Sequence, residues 1–448
     1  MDTQKFPDGF LWGAATAAHQ VEGGNENNDW WAWEQTPGHI KHGDRSIVAC
    51  DWWRGERYRE DFDLARALDH NAHRLSVEWS RIEPREGEWD ARAIALYRRV
   101  LSALRERAMT PLVTLHHFTH PLWLRAHGAW ETETVVPRFE RFVTRIIQEL
   151  GDLCDFWVTI NEPMVYTYTG YVNAKWPPGK SDFGLAMRVL TNMLRGHAAA
   201  YHAIHRVQPR ARVGLAHNLL ALKPANPGSA LNRAIAHLQD YAYNRVFLLA
   251  LQDGRLRFPM GLGRVPEAIG TQDFIGLNFY FARRVAVDWT QPGAFFGRIL
   301  PAQPWGVPYD DELLEWFGKG DIDPASFYRM VKWLAEYGKG KPIYICENGI
   351  PDRYDELRPR YLVAYLTALR RAIREGAPVQ GYFHWTLVDN FEWIEGYSLR
   401  FGLIAHDLAT QTRTPKSSAA LYARIARENG ITEEWNTNCA NVSSRSAS

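Results

Sequence analysis

The chain has 448 residues, 46% of them hydrophobic and 23% charged, with a formal net charge of +1. That is the composition of an ordinary globular protein. It lacks the basic excess of a nucleic-acid binder, and no run approaches the ~18 apolar residues of a membrane span. The 19 tryptophans are the anomaly: their flat apolar faces suit both core packing and stacking on sugar rings, and about half are expected to be plain core filling.

In chain order, the opening stretch "MDTQKFPDGFLWGAATAAHQ" shows neither the basic n-region nor the long apolar segment of a signal peptide, so a cytoplasmic protein is expected. Short β-like runs follow at 10–17, 72–79, 110–118, 155–161, 211–218, 273–280, 341–348 and 379–386. Amphipathic helical stretches lie between them, at 56–69, 95–108, 137–150, 195–208 and 359–376. Alternating strand and helix signals imply βα units on a parallel sheet, and this many units close into a barrel. No linker divides the chain. Residues 1–435 therefore read as one α/β domain, a (β/α)8 TIM barrel with long βα loops, notably 18–55 and 282–325. The polar, Ser-rich tail 436–448 is expected to be disordered. Cys50, Cys154, Cys346 and Cys439 form no CxxC pair and read as free thiols of a reducing compartment.

Active sites of such barrels lie at the C-terminal strand ends. The fourth run, "DFWVTIN", is apolar and β-branched, yet leads straight into Glu162 and Pro163. The seventh ends in Cys346-Glu347-Asn348-Gly349. The second carries Arg74, the third ends in His116-His117-Phe118, the sixth in Asn278-Phe279-Tyr280 and the eighth in His384-Trp385. A buried carboxylate is costly unless it is paired or chemically useful, and two at one mouth in this polar company point to chemistry. Paired carboxylates beside aromatic platforms are what glycoside hydrolysis needs: one protonated to donate to the leaving oxygen, one ionised to attack or to activate water. His116, His117 and His120 cluster in sequence, but neighbouring strand residues point to opposite faces, so no metal site is expected.

The motifs "FLWGAATAAHQVEG", "TINEP", "DFIGLNFY", "IYICENGI" and "LVDNFEWIEGYSLRFGL", in that order, resemble glycoside hydrolase family 1, the β-glucosidase family, over about residues 5–430. The resemblance implies the (β/α)8 barrel and a retaining double displacement without a cofactor, with carboxyls ~5–5.5 Å apart. It implies that Glu162 is the general acid/base and Glu347 the nucleophile, with Arg74 and Tyr280 as the nucleophile's partners. It further implies that Gln20, His117, Asn161 and Glu392 bind sugar hydroxyls and that Asn278 lies beside the 2-hydroxyl. By the same resemblance Trp385 is the platform under the ring, Trp393 a further hydroxyl contact and Phe401 a wall near C6. The expected partner is a small β-glucoside or short oligosaccharide, not a nucleic acid or a membrane; homo-oligomerisation is left open.

The departures matter. Met164 stands where the family usually has an aromatic residue, which leaves the aglycone preference open. Cys346 replaces the usual Thr or Ser and is expected to point away from the barrel as plain packing. Leu399 and Phe401 occupy positions where phospho-glycosidase relatives carry Lys and Tyr, and Glu392 replaces their Ser. An unphosphorylated sugar is implied, with an anionic Glu392 repelling a 6-phosphate. Two rival readings stand beside β-glucosidase: a β-galactosidase or β-fucosidase of the same family, and a non-catalytic sugar-binding protein, which the intact carboxylates disfavour.

Overall fold

The computed structural model describes residues 3–261, 263–305, 313, 314, 316 and 320–432. Parallel strands close into an eight-membered barrel. They are β1 (Leu11–Ala15), β2 (Ala72–Ser76), β3 (Thr110–His116), β4 (Phe156–Asn161), β5 (Arg212–Asn218), β6 (Phe274–Asn278), β7 (Ile343–Asn348) and β8 (Val379–Trp385). They follow one another around the ring in chain order, and β8 returns to β1 with Tyr382 opposite Trp12. Each β-like run of the sequence coincides with one of these strands. The runs read as continuous apolar stretches because parallel strands are covered on both faces; every residue of β2, β4, β6 and β7 is buried.

Helices form the outer layer, among them Tyr58–Ala67, Ala91–Glu106, Val135–Leu150, Phe183–Val207, Pro324–Gly338, Arg358–Arg374 and Ser417–Glu428. Between β5 and β6, Ala230–Asp240 runs through a π-turn, Tyr241–Arg245, into Val246–Asp253. Val135–Leu150 shows why such stretches are helical: Val135, Phe139, Phe142, Val143, Ile146, Ile147 and Leu150 are buried at helical spacing, the stripe that packs on the strands. Trp12, Trp30, Trp79, Trp130 and Trp157 are fully buried in the core, as expected for core-filling tryptophans.

The extra length collects in loops at the C-terminal mouth. The loop after β1 carries short helices Ala18–Val21 and Asp29–Glu34. The β5 and β6 loops pair into a small sheet of Ala221–Pro224, Ala282–Val287 and Gly297–Ile299. Part of the 282–325 loop and the tail 436–448 lie outside the described residues. Among the described residues no helix is long and apolar enough to cross a membrane.

The C-terminal hairpin Ile404–His406/Arg413–Pro415 is tied to the first barrel helix by a fully buried ion pair, Arg413 Nε to Asp61 Oδ1 at 2.9 Å. Trp52 Nε1 donates to Asp61 Oδ2 at 2.5 Å, and Arg413 Nη2 donates to the Cys50 carbonyl at 2.5 Å. Removing one partner leaves a charge in a dry site. Arg413→Leu is therefore expected to destabilise the protein by about 3–5 kcal/mol in denaturant unfolding; a loss below about 1 kcal/mol would show that the pair does not hold this corner.

Candidate active site

Every barrel strand delivers a side chain to one cavity of about 830 Å³ or to the polar network behind it. Among its lining residues are His117, Glu162, Asn218, Tyr280, Glu347, Trp385, Glu392, Trp393 and Phe401. Gln20 follows β1, Arg74 lies on β2 and Asn161 ends β4. Asn278 ends β6, and Glu392, Trp393 and Phe401 hang from the loop after β8. The site residues expected from the sequence are thus brought together.

Local backbone aims the two carboxyls. Ladder registers slip at the strand ends, between Val158 and Asn161 on β4 and between Leu277 and Asn278 on β6, and such irregularities re-aim side chains. Glu162 itself is left-handed, φ 46°, an unfavourable conformation for a non-glycine residue and one that clusters at functional sites. Its N–H is pinned to the Ala216 carbonyl at 2.8 Å, and Pro163 starts the helix Pro163–Tyr171 at a position where a missing N–H is harmless. On β7 the Glu347 carbonyl accepts from Phe279 N–H at 3.0 Å. The glycine of the "ENG" motif, Gly349, is needed for close approach: a Cβ there would sit 1.9 Å from the Trp385 carbonyl oxygen.

The two carboxyls have unlike surroundings. Arg74, itself buried, donates from Nη1 to Glu347 Oε1 at 2.5 Å, and Tyr280 OH donates to Glu347 Oε2 at 2.5 Å. Against the cost of burial, Glu347 holds the Arg74 guanidinium above its usual value, so the cation persists. Burial, and then the Glu347 charge, push the Tyr280 phenol far up, so it remains an O–H donor. Glu162 has amide neighbours instead: Asn278 Nδ2 at 2.7 Å and Asn218 Nδ2 at 3.0 Å both donate to its Oε1. Burial, reinforced by the Glu347 charge, raises Glu162 to about 8. With Oε1 occupied by two N–H donors, the proton belongs on Oε2.

An amide and imidazole chain fixes the rest. Arg74 Nη2 donates to Asn161 Oδ1 at 2.7 Å, and Asn161 Nδ2 donates to His117 Nε2 at 3.2 Å. Burial and then Arg74 keep His117 neutral, well below its usual pKa. Its Nδ1 is buried without a protein partner, as is Gln20 Oε1; buried polar atoms of this kind suit ligand hydroxyls. Gln20 Nε2 donates to Glu392 Oε2 at 3.1 Å. The His117 ring lies near-parallel to Trp385 (6.1 Å, 19°) and Trp393 (6.0 Å, 15°). His116 faces away from the cavity, accepting from Trp130 Nε1 at 3.1 Å, as the alternation of strand side chains requires.

Two expectations need correction. Glu392 is not a simple anion: burial, and then the charge of Glu347, raise it to about 8. Like-charge repulsion of a 6-phosphate is weakened to that extent. Leu399 and Phe401 are both buried; Phe401 lines the cavity, and Leu399 does not. Cys346 does not point away from the barrel. Its Sγ lies 2.8 Å from where a Cβ of Gly276 on β6 would stand, on the same inner side as Asn278. Its role is still packing.

Sequence reasoning missed Asn218 and Tyr243. Tyr243 OH donates to Asn218 Oδ1 at 3.2 Å, which turns the Asn218 amide nitrogen toward Glu162. The signal was present, since Asn218 ends the fifth β-like run as Asn161 and Asn278 end theirs.

The chain matches the family model "Glycosyl hydrolase family 1" over residues 2–262 and 263–431. It is 32% identical to β-glucosidase A of Thermotoga maritima, over 96% of this chain and all of the relative. Among solved structures, a β-glycosidase from Pyrococcus horikoshii superimposes with a TM-score of 0.88 at 36% identity, covering 98% of each chain. A β-glucosidase from Thermotoga maritima in complex with glucoimidazole gives 0.87 at 30% identity, over 96% of this chain and all of that one. The barrel, the paired carboxyls at its mouth and this full-length similarity agree: the chain belongs to glycosyl hydrolase family 1 and is a retaining β-glycosidase.

Proposed function

We propose that the enzyme is a β-glucosidase that removes terminal non-reducing β-D-glucosyl residues from unphosphorylated β-glucosides and short cello-oligosaccharides. The observation that carries this reading is the inequality of the two carboxyls. Glu347 accepts from a buried cation and a phenol donor, whereas burial, and then the Glu347 charge, raise Glu162 to about 8. Glu347 attacks the anomeric carbon and forms a glycosyl ester as the bond to the aglycone oxygen breaks. Glu162 gives its Oε2 proton to that oxygen. The resulting Glu162 carboxylate then takes a proton from water, whose oxygen displaces Glu347 and releases the sugar with its configuration retained. Gln20, His117 and Glu392 hold hydroxyls, Asn278 stands beside the 2-hydroxyl, Trp385 carries the ring and Phe401 walls it. The buried free thiols of Cys50, Cys154 and Cys346 favour a cytoplasmic setting.

Three outcomes test this reading. Azide should restore turnover to Glu347→Ala with inversion, giving the α-glucosyl azide, and to Glu162→Ala with retention, giving the β-glucosyl azide; exchanged stereochemistry would exchange the two roles. Glu162→Ala should also slow cleavage of cellobiose by about 10²–10⁴-fold, far more than the first step on a dinitrophenyl glucoside, whose leaving group needs no proton.

The second test is a nitrophenyl panel. Because the Gln20–Glu392 pair can meet either C4 epimer, it should include the β-glucoside, β-galactoside, β-fucoside and β-glucoside 6-phosphate. The plain glucoside should have the highest kcat/KM. A leading galactoside would move the enzyme to β-galactosidase, and an equal or better 6-phosphate would overturn the unphosphorylated assignment.

The third is pH dependence. Glu162 is competent as an acid only while protonated, so kcat/KM should fall as pH rises through about 8. Asn218 donates to Glu162 and so favours its ionised form. Asn218→Leu should move that basic limb to higher pH; an unmoved or lowered limb would remove Asn218 from the acid's environment.

A further inference from the structure

The loop that follows β8 has two sides. Glu392, Trp393 and Phe401 line the catalytic cavity, whereas Asp389, Asn390, Tyr397, Leu399 and Arg400 line a different one, of about 510 Å³. Among the described residues the two cavities have no wall residue in common. The far wall of the second cavity is the hairpin Ile404–His406/Arg413–Pro415. Ala405 pairs with Thr414 across it, and Asp407 N–H donates to the Thr412 carbonyl at 3.0 Å. Side chains two residues apart share a face, so Ala405, Asp407, Thr412 and Thr414 present one side to the cavity.

The walls carry hydrogen-bonding groups on a fixed frame. Asp389 is buried; its Oδ1 accepts from Gly402 N–H at 2.7 Å and from Lys416 Nζ at 2.9 Å, while its Oδ2 is buried without a protein partner. Thr410 Oγ1 donates to Asp407 Oδ1 at 2.9 Å and lies 2.9 Å from Thr412 Oγ1. The Arg400 carbonyl accepts from Asp352 N–H at 3.0 Å and Arg358 Nη2 at 2.7 Å, which holds its backbone in place. Tyr397 supplies an aromatic wall: its hydroxyl donates to the Arg45 carbonyl at 3.1 Å, and its ring meets Phe391 edge to face at 5.5 Å. Asp389 and Asp407 stand against Lys416 and Arg400, so no sign of charge prevails. A phosphate would meet two carboxylates here, and an apolar ligand would strip polar groups of water. A fixed aromatic ring surrounded by carboxylate, guanidinium and hydroxyl groups suits a neutral, polyhydroxylated ring, and the volume lies within the ~300–1,000 Å³ of small-molecule sites.

We propose that this cavity is a second sugar-binding site, which takes a free neutral hexose on the back of the loop that shapes the catalytic cavity and is coupled to that cavity. The coupling runs through Asn390, whose Oδ1 accepts from Gln20 Nε2 at 3.3 Å; the same nitrogen donates to Glu392 Oε2. Asp389 adds a second link through Gly402, the neighbour of Phe401. Glucose is the probe because of the β-glucosidase reading above; the chemistry of the cavity does not depend on that reading.

The test uses enzyme whose catalytic cavity is filled covalently as the 2-deoxy-2-fluoroglucosyl ester, so that radiolabelled glucose in equilibrium dialysis has only the second site. The ester should still bind glucose saturably, in the millimolar range. Ala405→Trp and Thr412→Trp, fillings on the two sides of the hairpin, should each weaken that binding by about tenfold or more. Both should keep kcat/KM on nitrophenyl glucoside within about threefold of wild type, which also shows that they are folded. No saturable binding to the ester, or equal binding in the esters of wild type and an active variant, overturns the proposal. Coupling is read from inhibition by glucose, which should be mixed in wild type and purely competitive in Ala405→Trp; purely competitive inhibition in both overturns it. A reagent that leaves the protein mass unchanged would count against the β-glucosidase reading instead. The same dialysis on untreated enzyme then decides: Ala405→Trp should lose one class of glucose site, and an isotherm identical to wild type overturns the second site.

Discussion

The Arg74 guanidinium sets the state of everything at the barrel mouth. It is buried on β2, yet it bonds Glu347 on β7 and Asn161 on β4 at once, and it also donates from Nε to Thr114 of β3 at 3.2 Å. A lone buried charge is costly and a hydrogen-bonded pair is tolerable, so the cation and Glu347 must be placed together. One cation shared unequally between two carboxyls breaks their symmetry. Glu347 has it in contact, whereas Glu162 feels Arg74 only as a minor influence, outweighed by burial and by the Glu347 charge. On the roles proposed above, acid and nucleophile are told apart by which strand end lies nearest Arg74. A closed barrel suits this task, because a residue on one strand can reach across the interior to others far away in sequence.

The fold was legible because parallel barrel strands are covered on both faces. That makes each a short apolar run, and the helices between them carry the complementary 3.6-residue stripe. The carboxyls were legible for the converse reason: a Glu at the end of such a run contradicts its own neighbourhood, and the contradiction marks a function. Three features were not legible, and each depends on distances that sequence does not contain. Asn218 gains meaning only from its closeness to Glu162. Cys346 shares the inner side with Tyr344, two residues before it, and the register slip beyond Ile345 brings Glu347 to that side as well, so alternation counted back from Glu347 misplaces Cys346. Glu392 reads as an anion from its residue type but is raised to about 8 once burial and Glu347 act on it.

The shift at Glu392 alters how sugar recognition should be viewed. A neutral carboxylic acid both donates and accepts, so Glu392 with the unpartnered Gln20 Oε1 offers a mixed set of hydrogen-bonding groups to sugar hydroxyls. A carboxylate would only accept. Burial thus raises both Glu162 and Glu392, and both shifts have the Glu347 charge as their second cause. Binding and catalysis are coupled through one charge. Neutralising Glu347, as formation of the glycosyl ester does, removes that second cause and makes both acids easier to ionise. On the roles proposed above, this is the direction the second step needs, because there Glu162 acts as a base.

The helix Pro163–Tyr171 extends the coupling outward. Its first residue follows the acid directly, so the left-handed turn that aims Glu162 also fixes where the Met164, Thr167 and Tyr168 face points. That helix face and Glu162 are therefore carried by one continuous stretch of backbone. Met164, one residue beyond the "NEP" motif, is buried at the start of that helix.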